Sequence, residues 1–399
     1  MNAITIVILI FSLLGAVDFI IGNKFGIGKE FEKAFSLFCP MALSMLGMIV
    51  IAPAIGVWLT PVFEEFYNVF NIDPSIIPAS LFANDMGGMP LAQAVYKSEA
   101  IGNYNAFVIS SMMGCVISFT IPFSLGLVKQ TQHKELFFGL LCGIATIPVG
   151  SFVSGLVCKL NPLDLFINLL PLIILAIIVV TALILFPEIC IKCFTVFGIF
   201  MRALAIMGLV CAMFTFFTAI EINPHFDTLE NAAFICVNAC VTLSGALPLM
   251  FIVSKLLNKP LNKMGSKIGV DGVSALAFLG SLVTNASTFG VMEKMNKKGV
   301  VLNSAFAVSA SFVFGGHLAF TMAFDSSYVI PVIVGKLVSG ICAVFLALLI
   351  YKGDMPKKEN SRLLSFSVQL VNSANRFRYR RRKPSNHNGY WVFSCLFLK

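Results

Sequence analysis

Asp85 stands in the run Ser-Leu-Phe-Ala-Asn-Asp-Met-Gly-Gly-Met-Pro (residues 80–90), between Asn84 and the pair Gly87 and Gly88. A carboxylate in an apolar run costs about 2.5–3.5 kcal/mol at a membrane helix centre on insertion scales, which makes it a functional candidate by default. Its charge suits a cationic group such as a protonated amine, and paired glycines let backbone come close to a small ligand. The alternative is a structural salt bridge, with Lys336 as partner. Asn285 holds the comparable place in Leu-Val-Thr-Asn-Ala-Ser-Thr-Phe-Gly (282–290). Its amide can give a carbonyl or an NH2 to a hydroxyl.

Three further ionisable groups fall in apolar surroundings. Lys336 lies eight residues into its run and either snorkels to the interface or serves an ion pair or coupling role. His317, in Phe-Gly-Gly-His-Leu, could titrate near neutral pH, or sit hydrogen-bonded in a helix interface. Asp18, near the inner end of the first apolar run, can reach the interface or pair with a cation. The 39 Phe offer faces for an ammonium, with no single one distinguished. Most of the eleven Cys pack as small hydrophobes in apolar runs. Cys190 and Cys193 form a lone CxxC without the second pair a structural zinc needs. No Walker A loop, HExxH, GxSxG or dinucleotide fingerprint occurs, and no cofactor is called for.

The elements that must position these groups follow from composition. The chain has 399 residues, 58% hydrophobic and 12% charged, with a mean hydropathy of +0.91. A soluble domain carries about 25% charged residues. A water-soluble enzyme, a disordered chain and a nucleic-acid reader are excluded; an all-α polytopic membrane protein remains. The net charge of +9 sits entirely in the tail, because residues 1–351 hold 17 basic and 17 acidic residues. The N-terminal run lacks a basic n-region and reads as a retained helix, not a cleaved signal.

Eleven apolar segments can be drawn. Nine are long enough to span a ~30 Å core: 3–21, 34–60, 104–128, 136–158, 165–186, 203–220, 229–254, 302–323 and 329–351. Two, 75–95 and 268–292, are broken by the polar and glycine residues described above. If both turn back as re-entrant hairpins, the inside loops (22–33, 129–135, 187–202, 255–267, 293–301) hold 14 Lys/Arg and the outside loops 2. If both cross, the split becomes 8 and 8. The positive-inside rule selects nine spanning helices and two hairpins, N-terminus outside and C-terminus inside.

The order of elements repeats about 185–200 residues on. Asn-Ala-Phe-Val-Ile-Ser-Ser (105–111) matches Ser-Ala-Phe-Ala-Val-Ser-Ala (304–310) at three of seven positions, and Val-Gly-Ser-Phe-Val-Ser-Gly (149–155) matches Val-Gly-Lys-Leu-Val-Ser-Gly (334–340) at five of seven. The expected organisation is a first transmembrane repeat (1–159), a linking helix (160–190), a second repeat (191–355) and a basic tail (356–399). Equivalent helices lie five crossings apart, so the halves face opposite ways. Inverted repeats with interrupted helices are typical of secondary transporters, and the breaks point to the substrate site. Packing kinks in buried helices are the plain alternative.

Three segments then carry a resemblance: Ala-Asn-Asp-Met-Gly-Gly (83–88), Asn-Ser-Ala-Phe-Ala-Val-Ser-Ala (303–310) with Gly-His-Leu (316–318), and Pro-Val-Ile-Val-Gly-Lys-Leu (331–337). Over roughly residues 1–355 the chain resembles the ethanolamine permease family (ethanolamine utilisation protein EutH). The resemblance implies a multi-pass bacterial inner-membrane protein that brings in ethanolamine for breakdown by a cytoplasmic ammonia-lyase. It names no binding residues. Asp85, Gly87, Gly88, Asn285, His317 and Lys336 match the family pattern; Asn84 departs from it, where a small residue such as Cys is expected. The expected partners are a small-molecule substrate and the bilayer, with no nucleic acid and with homo-oligomerisation left open. Rival readings are transport of another small amine or amino alcohol, a membrane-embedded transferase or hydrolase, and a non-catalytic scaffold or receptor. Residues 361–399 lose the family's short polar ending. A reading-frame slip near the end of the gene is one explanation; a polybasic segment on anionic lipid is the other.

Overall fold

The computed structural model describes residues 3–351, and the basic tail lies outside the described residues. Every regular element among them is helical. The helices are α1 (Ala3–Ile20), α2 (Ile27–Ser36), α3 (Phe38–Phe70), α4 (Ile76–Leu81), α5 (Gly88–Val95), α6 (Glu99–Tyr104), α7 (Ile121–Leu127) and α8 (His133–Val157). They continue with α9 (Pro162–Leu185), α10 (Pro187–Thr218), α11 (Leu229–Lys267), α12 (Gly272–Val283), α13 (Asn285–Phe289), α14 (Lys297–Ala310), α15 (Gly316–Phe324) and α16 (Val329–Ile350). Seven helical stretches among the described residues are long and apolar enough to cross a membrane; Ile4–Ile20 and Gly272–Val283 are shorter apolar helices.

Helix α9 illustrates the logic. Asn161 caps its first turn by accepting from the Leu163 N–H at 2.9 Å, and Pro162 takes the first helical position, where no amide hydrogen is needed. Leu165, Leu169, Leu172, Ala176, Val179 and Leu183 form a buried stripe, while Ile174, Ile177 and Ile178 are more than half exposed on the other side. An outward apolar stripe of this kind suits lipid.

Helices α8 and α16 cross where they are narrowest. A Cβ at Gly150 would overlap the Gly335 carbonyl, and one at Gly335 would lie 2.7 Å from the Ser154 Cβ. To one side the Ser154 hydroxyl donates to the Pro331 carbonyl at 2.7 Å; to the other the Thr146 hydroxyl donates to the Ser339 carbonyl at 3.1 Å. Residue numbers rise along one helix as they fall along the other, so the pair is antiparallel. Small residues at such crossings let backbones meet closely in an apolar medium.

Several boundaries differ from those read off hydropathy. The run 302–323 is not one helix: α14 stops at Ala310 and α15 starts at Gly316. Most of 104–128 winds as a π-helix, over Asn105–Gly114 and Val116–Thr120. The stretches 187–202 and 255–267, expected as loops, are helical parts of α10 and α11. Hydropathy marks where apolarity ends, whereas a helix continues into water until its hydrogen bonds are broken.

The two broken segments have limbs that come together. Around Thr284 the chain reverses, and the Thr288 hydroxyl of α13 donates to the Ala277 carbonyl of α12 at 2.8 Å. In the first segment α4 packs against α5 across a turn at Asn84–Met86.

Candidate functional site

The first break carries Asn84 and Asp85. Gly87 closes the turn at φ 97°, a left-handed conformation that glycine adopts without strain. A Cβ on Gly88 would overlap the Phe82 carbonyl, and one on Gly87 would strike the Met48 side chain. Gly88 is therefore taken up by the turn itself, and Gly87 by the turn's close approach to α3. Asn84 is fully buried; its Oδ1 accepts from the Asp85 N–H at 3.0 Å, and its Nδ2 has no partner. Asp85 is partly accessible, and an added Cβ on Gly316 would lie 3.8 Å from its Oδ2.

The π-helical stretch forms the wall beside this turn. The Ala83 N–H donates to the Ser118 hydroxyl at 3.0 Å, which fastens the first break to the wall. Serines supply several side-chain bonds back to its own carbonyls, from Ser111 to Val108 and from Ser118 to Gly114. Such bonds offer the backbone an alternative to the regular helical ladder. Wide π-turns occur often at functional sites.

The second break reaches the same wall. Asn285 is fully buried; its Nδ2 donates to the Thr120 hydroxyl at 3.0 Å, and its Oδ1 is left without a partner. The interruption between α14 and α15 packs on the end of α12. There the N–H groups of Phe312 and Phe314 donate to the carbonyls of Ser281 and Leu282 at 3.1 and 2.8 Å. These bonds satisfy carbonyls that a helix end leaves free. Phe312 has φ 61°, an uncommon conformation for a bulky residue. Its ring contacts those of Phe119 and His317, with centroids 5.6 and 5.0 Å away.

Lys336 completes the centre and does not snorkel. It is fully buried, and its ammonium donates to the Ser111 carbonyl at 2.5 Å and to His317 Nδ1 at 3.1 Å. Lys336 and Asp85 form no direct ion pair. The structural salt bridge considered from sequence is thus not made. His317 is a hydrogen-bonded, buried histidine. Asp18 serves elsewhere: its carboxylate accepts from the N–H groups of Phe25 and Gly28 at 2.9 and 2.8 Å, at the start of α2.

The structure brings the first break (through Ala83), Asn285 and Lys336 with His317 onto one π-helical wall, at Ser118, Thr120 and Ser111, and leaves Asp18 out. Sequence reasoning missed Ser111, Thr120, Phe312 and the break at Ser311–Gly315. The Gly-Gly pair in Phe-Gly-Gly-His was the available signal, since it repeats the doublet at 87–88. Among the described residues, no group of three or more His, Cys, Asp or Glu is placed to hold a metal.

These helices, with an apolar exterior and a polar interior centre, define a multi-pass membrane protein. The chain belongs to the EutH family: the family model described as "Ethanolamine utilisation protein, EutH" matches residues 1–350. It is 39% identical over 351 residues to the "Probable ethanolamine permease EutH" of Listeria monocytogenes, covering 88% of this chain and 94% of that protein. It is 32% identical to the protein of the same name from Salmonella typhimurium, covering 87% and 95%. Similarity extends to the "Uncharacterized protein YxeR" of Bacillus subtilis, at 31% identity over 86% and 92%. No solved structure matches the chain.

Proposed function

We propose that this protein carries ethanolamine, as its ammonium form, across the bacterial cytoplasmic membrane by alternating access between two inverted halves. Asp85 neutralises the ammonium; the Asn285 Oδ1 and Asn84 Nδ2 hold the hydroxyl as acceptor and donor. Gly87 and Gly88 shape the turn that presents Asp85. The observation that carries this reading is the set of buried, unpartnered polar atoms at the two breaks: Ser80 Oγ, Asn84 Nδ2 and Asn285 Oδ1. Leaving such groups unsatisfied costs about 1–3 kcal/mol each, which a polar ligand with a hydroxyl and an ammonium would offset.

The names of the Listeria and Salmonella relatives support the substrate class. The inverted arrangement is supported by the reciprocal α8–α16 contacts. In the repeat register, Ser154 corresponds to Ser339 and Pro331 to Thr146, so the pairs 154–331 and 146–339 exchange under a two-fold axis. An axis relating antiparallel membrane helices in this way lies in the membrane plane, as inverted repeats require. The two broken segments then enter as hairpins from opposite sides, with the N-terminus outside and the C-terminus inside. Saturable uptake of labelled ethanolamine by proteoliposomes of the purified protein, against empty vesicles, tests the reading. Competition by other small amines and amino alcohols tests its substrate range.

A further inference from the structure

Two aspartates away from the central cluster close the bases of the two broken segments. The Asp73 carboxylate precedes α4. It accepts from the Ser75 N–H and hydroxyl at 3.0 and 2.6 Å, and from the N–H groups of Lys97 and Ser98, beyond α5, at 3.0 and 2.8 Å. Asp271 does the same in the second half. It accepts from the Ser274 N–H and hydroxyl at 2.9 and 3.0 Å, and from the Asn296 N–H, beyond α13, at 2.6 Å.

An asparagine from the next helical stretch braces each base. Asn105 donates to the Ser75 hydroxyl at 2.9 Å, and Asn303 donates to the Ser274 carbonyl at 2.9 Å. Neither carboxylate is spent on a lysine: the Lys97 ammonium pairs with Glu64 at 3.0 Å instead. An ionised carboxylate only accepts, and its two oxygens can hold several N–H and O–H donors at once. It can therefore staple both limbs of a segment whose tip lies about a dozen residues further on.

We propose that Asp73 and Asp271 are positioning residues of the transport site, each locking the base of its hairpin so that Asp85 or Asn285 is held in place at the tip. The inference rests on the transport reading above. The two bases differ in strength. Asn105 also makes a reciprocal amide pair with Asn168 of α9, at 3.2 and 2.8 Å, in a buried setting. Asp73 is itself buried, whereas Asp271 is only half-buried. Asp271 is accordingly the site where loss of the clamp leaves the fold standing.

The test uses the full chain in proteoliposomes, with ethanolamine uptake measured against concentration and normalised to inserted protein. Asp271→Asn puts an amide NH2 where one of the two backbone N–H groups donates. Its KM is expected to rise about tenfold, the factor for loss of one charge-assisted bond, with wild-type insertion. A wild-type KM with only the inserted amount lowered would overturn the proposal. The double variant Asp271→Cys with Asn296→Cys supplies a covalent substitute. Its oxidised form is expected to recover a near-wild-type KM and its reduced form to lose it; a verified cross-link without recovery contradicts positioning. If wild-type protein gives no saturable uptake, the transport reading and this inference fall together. If wild type transports and Asp85→Asn does not, while Asp271→Asn keeps its KM, only the inference falls.

Discussion

The Lys336 ammonium donates to Nδ1 of His317 at 3.1 Å and to the Ser111 carbonyl at 2.5 Å, so one buried cation ties α16 to α15 and to the π-helical wall. Asp85 makes no ion pair with Lys336, and under the transport reading its carboxylate is the group that receives the substrate's ammonium.

Lys336→Met keeps the length and removes the donor. Ser111 and His317 then lose their shared partner, and uptake per inserted molecule is expected to fall roughly tenfold or more. Wild-type initial rates from the Met variant would show that the cation is dispensable.

Asn285→Ala removes the free acceptor at the second tip. Ethanolamine and ethylamine share an ammonium and differ in the hydroxyl. The wild-type preference for ethanolamine is therefore expected to narrow by about two- to tenfold, the range of one neutral hydrogen bond. An unchanged ratio of the two rates would remove Asn285 from hydroxyl recognition.

Gly335→Val places branched carbon against Ser154 and the Gly150 carbonyl. Overpacking typically costs about 1–3 kcal/mol, so the detergent-solubilised variant should unfold at a clearly lower temperature. As a control, Ile341→Val at an exposed position of the same helix should leave the transition in place.

The membrane class, most helix positions and the two breaks were legible in the sequence. Polar residues and glycines inside apolar runs are expensive and therefore conspicuous, which is why Asp85, Asn285 and Lys336 could be named. The third break was hidden because Ser311, Phe312, Val313 and Phe314 keep the window apolar, while the bonds that replace the helix come from Ser281 and Leu282, far back along the chain. The π-winding at Asn105–Gly114 was equally invisible, since it changes hydrogen-bond spacing and not composition. The clamps escaped too: Asp73 and Asp271 look like ordinary loop acids until their distant N–H partners are known.

Sidedness can be read by chemistry from outside the cell. With the unsubstituted protein as blank, Lys259→Cys on the polar end of α11 is expected to react with a membrane-impermeant maleimide only from the cytoplasmic side. Lys97→Cys is expected to react from outside. External labelling at position 259 would refute opposed hairpins.

The most direct measurement is uptake of labelled ethanolamine by proteoliposomes carrying Asp85→Asn, at matched insertion. Loss of the ammonium's charged partner predicts a saturable rate lowered roughly 10- to 100-fold, with the protein folded and inserted as wild type. Wild-type uptake by the Asn variant would contradict the assignment of Asp85 as the residue that receives the substrate's charge.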